Sequence, residues 1–112
     1  MENKMLDLLK TRRSVRAYRP EQITPEELAA VTEAGTWAPT GMGLQSPVIV
    51  AVQSPKYRKA VEELNKKARG GEQDPYYGAP TVVLVLADSS RGTCVEDGSC
   101  VLATMMQAAH AI

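Results

Sequence analysis

Met1, Met5, Leu8 and Leu9 recur at helical spacing, predicting a short amphipathic helix over residues 3 to about 11. A better defined helix follows in "ITPEELAAVTEAG". Thr24 can accept from free backbone N–H groups, Pro25 suits the first turn, Glu27 completes a capping box, Leu28 and Val31 share a face, and Gly35 is placed to stop the helix. "WAPTGMGLQSP" from Trp37 to Pro47 carries two prolines and two glycines and predicts a surface loop. "VIVAV" at residues 48–52 is an unbroken apolar run, the pattern of a strand covered on both faces.

Ser54 and Pro55 open a third predicted helix, with Tyr57, Val61, Leu64 and Ala68 on an apolar face. The charges from Lys56 to Lys67 are then expected on its solvated sides. "RGGEQDPYYGAP" is a second loop and "TVVLVLAD" at residues 81–88 a second apolar strand. After "SSRGTCVEDGS", the segment "CVLATMMQAAHAI" leaves almost no polar face, so a helix there is expected to be buried in a core or between subunits. The order is helix, helix, strand, helix, strand, helix, an α+β arrangement. Two strands make a marginal sheet, and the most apolar helix reaches the final residue without a capping signal. The expectation is a single domain over 1–112 that is incomplete at its C-terminal side.

Composition narrows the functional classes. At 112 residues, 44% apolar and 23% charged, the chain fits one small domain, and its net charge of zero gives no whole-protein field toward nucleic acid or an acidic membrane. No signal-peptide pattern and no membrane-length apolar run occurs, which points to the cytoplasm. Cys94 and Cys100 lack a second pair and share the chain with one histidine, His110, so a zinc site is poorly supported and two free thiols are expected.

Against that neutral background, "KTRRSVRAYRP" at residues 10–20 concentrates five of the thirteen cationic side chains. In an extended segment, alternate residues point the same way, so Arg12, Ser14 and Arg16 line one face over about 13 Å at about 3.3 Å per residue. Guanidinium forks and a hydroxyl converge well on phosphate oxygens, which suggests a phosphorylated small molecule. The competing reading is a basic segment favoured by the dipole at a helix C-terminus. Tyr18 is the sole aromatic interleaved with the basic residues, too few for a nucleic-acid surface. No nucleotide-hydrolase phosphate loop is present, and "GMG" at 41–43 lacks a third glycine and precedes a strand, unlike a dinucleotide fingerprint. His110 lies in the apolar terminal helix, where packing is the commoner role than catalysis.

The run "LLKTRRSVRAYRPEQITPEELAAVTEAGTWAPTGMGLQSPVIVAV" closely resembles the N-terminal part of the nitroreductase family of FMN-dependent oxidoreductases. The resemblance rests on "RRSVR" and "APTGMGLQSP" at the right separation, and continues through "APTVVLVLAD" and the last helix. It implies a nitroreductase-like sheet flanked by helices, with FMN as cofactor and NAD(P)H as co-substrate. The implied activity is ping-pong hydride transfer from NAD(P)H through the flavin to a nitroaromatic, quinone or similar small-molecule acceptor. The alternatives are a non-catalytic FMN-binding module and an inactive fragment of a longer nitroreductase.

By the same resemblance, Arg12 and Ser14 meet the FMN phosphate and ribityl region, Arg13 flanks them, and Arg16 lies toward the pyrimidine end, where positive charge favours reduced flavin. Pro39, Thr40 and Gly41 match a loop that reaches the flavin of the other subunit, which implies a homodimer with shared sites. Gln45 matches a glutamine common there, and Asn65 corresponds to a flavin-contacting asparagine. Gly43 departs from the asparagine often found at its position. No nucleic acid, membrane, metal or protein nucleophile is implied.

Overall fold

The computed structural model describes all residues, 1–112, as four α-helices and a two-stranded sheet. In chain order these are α1 (Lys4–Thr11), α2 (Pro25–Thr36), β1 (Val48–Val52), α3 (Pro55–Arg69), β2 (Val82–Leu86) and α4 (Cys94–Ala111). A single 3-10 turn spans Gly41–Gly43. The chain divides into two compact units. The first comprises Met1–Arg13, Thr24–Val50 and Val85–Ile112; the second comprises Ser14–Ile23 and Ala51–Leu84. β1 pairs with β2, and no helix is long and apolar enough to cross a membrane.

The first unit is built on α4. α2 packs along it and α1 touches it. Asn3 caps α1 by accepting from the N–H groups of Met5 at 2.9 Å and Leu6 at 3.3 Å. Only Leu8 of the expected α1 stripe is half-buried, while Met5 and Leu9 stay exposed. α2 begins as expected. The Glu27 N–H donates to Thr24 Oγ1 at 3.1 Å and the Thr24 N–H donates to Glu27 Oε2 at 2.8 Å, with Pro25 in the first turn. Thr24→Ala is expected to cost about 1 kcal/mol, the usual cost of losing such a cap. A urea titration showing an unchanged midpoint would refute it.

Gly35 does not stop α2. The helix continues to Thr36, and Gly35 is buried within it. A Cβ there would stand 2.8 Å from both Ile49 Cδ1 and Met105 Cγ, so glycine serves close packing of the helix against its neighbours. The turn ends when Trp37 N–H donates back to Ala34 O at 3.1 Å and Ala38 N–H to Gly35 O at 3.2 Å.

α4 starts at Cys94, six residues before the apolar run expected to form it. Its covered stripe is Asp97, Val101 and Met105 at four-residue spacing, with Gly98 beside it; a Cβ on Gly98 would be 3.4 Å from Ala87 Cβ. Leu102, Met106 and Ile112 are exposed in the single chain, while the stripe of Val101 and Met105 is buried on the side where α2 packs. Thr11 Oγ1 and His110 Nε2 lie 2.9 Å apart, tying the C-terminal end of α1 to that of α4 and giving the histidine a polar, exposed setting. Cys94 and Cys100 are free and half-buried.

In the second unit, α3 ends at Arg69 with Gly70 in the left-handed region at φ 70°. The expected apolar face is not its buried one. Leu64 is 68% exposed and Tyr57 61%, whereas Glu62 is buried. Arg58 and Glu62 pair at 3.0 Å with side chains only 11% exposed, and Lys66 reaches Glu62 Oε1 at 2.6 Å. Charge pairing on α3 and the returning loop at Asp74, 2.6 Å from Arg58, override the apolar pattern. Val52 of β1 and Val82 of β2 are buried, but most strand residues are half-buried or exposed. Each strand has one paired edge.

Candidate functional site

Helix α1 ends where the basic string begins. Arg12 leaves the helix with φ −56° and ψ 136°, an extended conformation, as expected for that segment. Arg13 turns back: its Nη1 donates to Lys10 O at 2.7 Å and Arg12 O at 2.9 Å, filling carbonyls that the helix terminus leaves open. Arg12 and Arg13 belong to the first unit, Ser14 and Arg16 to the second. Arg12 is half-buried; Arg13, Ser14 and Arg16 are exposed. The guanidinium groups of Arg12 and Arg16 make neither an ion pair nor a hydrogen bond, since the ion pairs of this protein all lie among Arg58, Lys59, Glu62, Glu63, Lys66 and Asp74. Each of these two planar forks of N–H donors is thus uncommitted within its own unit. Within the second unit, Val15 and Tyr18 join Tyr76 and Tyr77 in lining a cavity of about 250 Å³.

Pro39, Thr40, Gly41 and Gln45 are brought together in one loop of the first unit. Its backbone doubles back tightly. Gly43 N–H donates to Thr40 O at 3.0 Å, Leu44 N–H to Gly41 O at 3.3 Å, and Gln45 N–H to Thr40 Oγ1 at 2.9 Å. Met42 at φ 57° and Gln45 at φ 48° occupy the left-handed region, which costs a residue with a side chain about 1–3 kcal/mol. The loop exposes Trp37, Met42, Leu44 and Gln45, while Ala38 is buried. Thr40 and Gln45 also border a cavity of about 230 Å³, whose lining includes Ile49 and Val101.

Asp97 of α4 is a participant that sequence reasoning missed. Its Oδ1 accepts from Gly41 N–H at 2.8 Å and its Oδ2 from Thr93 Oγ1 at 3.0 Å. The signal was available: an acidic residue at four-residue spacing from Val101 and Met105 lies on their stripe. Asn65 stands apart on α3 in the second unit, where its Nδ2 donates to Tyr76 Oη at 2.8 Å.

A sequence model of the nitroreductase family matches residues 9–112. The chain belongs to that family. Over 89 residues it is 30% identical to an FMN reductase [NAD(P)H] of Bacillus subtilis, covering 80% of this chain but 34% of that protein. A nitroreductase with bound FMN from Bacteroides fragilis superposes with a TM-score of 0.88 at 32% identity, covering 98% of this chain and 66% of the other. A nitroreductase with bound FMN from Desulfitobacterium hafniense gives a TM-score of 0.82 at 26% identity, with coverages of 99% and 66%. The chain therefore has the nitroreductase fold over its length, and spans about a third of the curated relative it matches.

Proposed function

We propose that this chain is the N-terminal part, residues 1–112, of a single nitroreductase domain whose function is FMN-dependent oxidoreduction. The family match across residues 9–112 carries this reading, and FMN bound by relatives of the same fold supports it. Bound FMN would supply the two-electron redox chemistry that links NAD(P)H to a nitroaromatic, quinone or similar acceptor in a ping-pong cycle.

The protein's share is binding and charge. The residues present fit that cofactor by their donor chemistry: the free forks of Arg12 and Arg16 and the exposed Ser14 hydroxyl suit phosphate and hydroxyl groups. Arg12 and Ser14 take the phosphate and ribityl region. Arg16 would hold the pyrimidine end, where its fixed charge would favour the reduced flavin. Arg13 serves beside them by closing the α1 terminus, which sets the direction in which Arg12 leaves the helix. Pro39, Thr40, Gly41 and Gln45 form the loop offered to the flavin of a partner subunit in a homodimer, and Asn65 is the remaining polar contact. The site needs no protein nucleophile, metal, nucleic acid or membrane, and the cytoplasm is its proposed location.

Titration of the purified chain with FMN, following flavin fluorescence and oligomeric state together, tests the proposal. Saturable quenching by a dimer, followed by NAD(P)H-dependent bleaching, is the expected result. Quenching without bleaching would mark a binding module without catalysis, and no quenching would remove the flavin reading for this chain.

A further inference from the structure

Asp97 is 4% exposed and has no cationic partner, an arrangement in which a carboxylate must fill its lone pairs with hydrogen bonds. The two it makes converge from different elements: Gly41 N–H on Oδ1 at 2.8 Å and the Thr93 hydroxyl on Oδ2 at 3.0 Å. Its place in the first turn of α4 adds the favourable helix dipole.

The approach of the loop is possible only because residue 41 is glycine. A Cβ there would overlap Thr93 Oγ1 and lie 3.2 Å from Thr93 Cβ. Both backbone groups of Gly41 are thereby used inside the protein, the N–H by Asp97 and the C=O by the Leu44 N–H at 3.3 Å. Gly41 has no backbone donor left for a ligand. Left-handed residues such as Met42 and Gln45 persist only where surrounding contacts over-determine the backbone, and the bond that Gly41 N–H donates to Asp97 fastens this loop to α4.

The geometry points to Asp97 as a positioning residue that pins Gly41 to α4, with Thr93 orienting the carboxylate, so that Thr40 and Gln45 are held in the conformation that meets the cofactor. This inference rests on the flavin reading above. It adds that the loop acts on the ligand through Thr40 and Gln45, and that Gly41 acts by close approach and not as a donor.

The test uses the 112-residue chain and two readouts: the Gly41 amide in a proton–nitrogen correlation spectrum, including its exchange rate, and FMN affinity by fluorescence quenching. Asp97→Asn preserves size but removes the charge; Thr93→Val preserves shape but removes the orienting hydroxyl. Asp97→Asn replaces a charged acceptor by a neutral one and is expected to shift the Gly41 amide upfield, speed its exchange and weaken FMN about fivefold, the difference between a hydrogen bond to a charged group and one to a neutral group. Thr93→Val should move both readouts in the same direction by less. Met105→Ala, which removes buried apolar volume from the same helix, should lower the melting temperature while leaving the Gly41 amide and FMN affinity near those of the unaltered chain. An unmoved Gly41 amide in Asp97→Asn overturns the inference. So does an FMN affinity that falls as far in Met105→Ala as in Asp97→Asn, which would reduce Asp97 to a general stabiliser. Failure of the flavin reading has a different signature: no quenching by the unaltered chain, with the Gly41 amide still responding to Asp97→Asn.

Discussion

Replacing Arg12 and Arg16 together by alanine is expected to weaken FMN binding about a hundredfold or more. A hydrogen bond to a charged group contributes about 1.5–3 kcal/mol, and losing two such anchors removes roughly 3 kcal/mol or more of binding free energy. Stability should hardly change, because neither guanidinium makes an ion pair in the fold and Arg16 is exposed. This separation makes the measurement clean: FMN titration reports the site while circular dichroism reports the fold. Lysine at both positions keeps the charge but loses the planar fork, so its affinity should fall between the two. Arg13→Ala is expected to act differently, since that side chain closes the α1 terminus and its loss frays the helix end. Unchanged FMN affinity in the double alanine variant would sink the assignment of these residues to the cofactor.

Much of this fold is written in local signals. Thr24, Pro25 and Glu27 announce the start of α2, and Pro55 and Gly70 bracket α3, because caps and turns depend on residues close in the chain. The β1 boundaries follow directly from the unbroken apolar run. The start of α4 is hidden because "CVEDGS" looks like a polar loop, whereas Asp97 and Gly98 are buried: one satisfied by Gly41, the other against Ala87. Gly35 misleads for a related reason. Local rules treat glycine as a stop, while its use here is to admit Ile49 and Met105, which are distant in sequence. The site divides the same way. The string of residues 12–16 is conspicuous by charge alone, and the structure confirms that Arg12 continues in an extended conformation. The tie between Gly41 and Asp97 joins residues 56 positions apart and had no local signature beyond helical spacing.

Arg58→Ala is expected to lower the melting temperature by about 10 °C, because Asp74 loses its one cationic partner and the half-buried bonds to Glu62 and Ala79 are lost with it. Arg58 serves four partners: Nη1 to Glu62 at 3.0 Å, Nη2 to Asp74 at 2.6 Å, Nε to Ala79 O at 2.8 Å, and the Tyr76 ring at 5.2 Å. Asp74 depends on it and on the N–H groups of Tyr76 at 2.9 Å and Gly78 at 2.8 Å, so the loss should also loosen the loop from Asp74 to Ala79. Burial pushes the Asp74 carboxyl up, but the Tyr76 amide, Arg58 and the Gly78 amide together outweigh it and hold its pKa below the ordinary carboxylate value. A depressed folded pKa means that the unfolded chain binds a proton first as pH falls. The Asp74 contribution is therefore complete above the ordinary carboxylate range and is lost as pH drops through that range to the lower folded value. Glu62 shifts in the same direction, first through Lys66 and then Lys59, and adds to the same acid-side loss. Melting temperatures from neutral to acid pH should fall for the unaltered chain and fall less steeply for Asp74→Asn and Arg58→Ala. Lys67→Ala, an exposed cation of α3 outside the network, should melt with the unaltered chain. Equal melting of Arg58→Ala and Lys67→Ala would show that the network carries no stability, and that burial of the α3 charges is incidental to the fold.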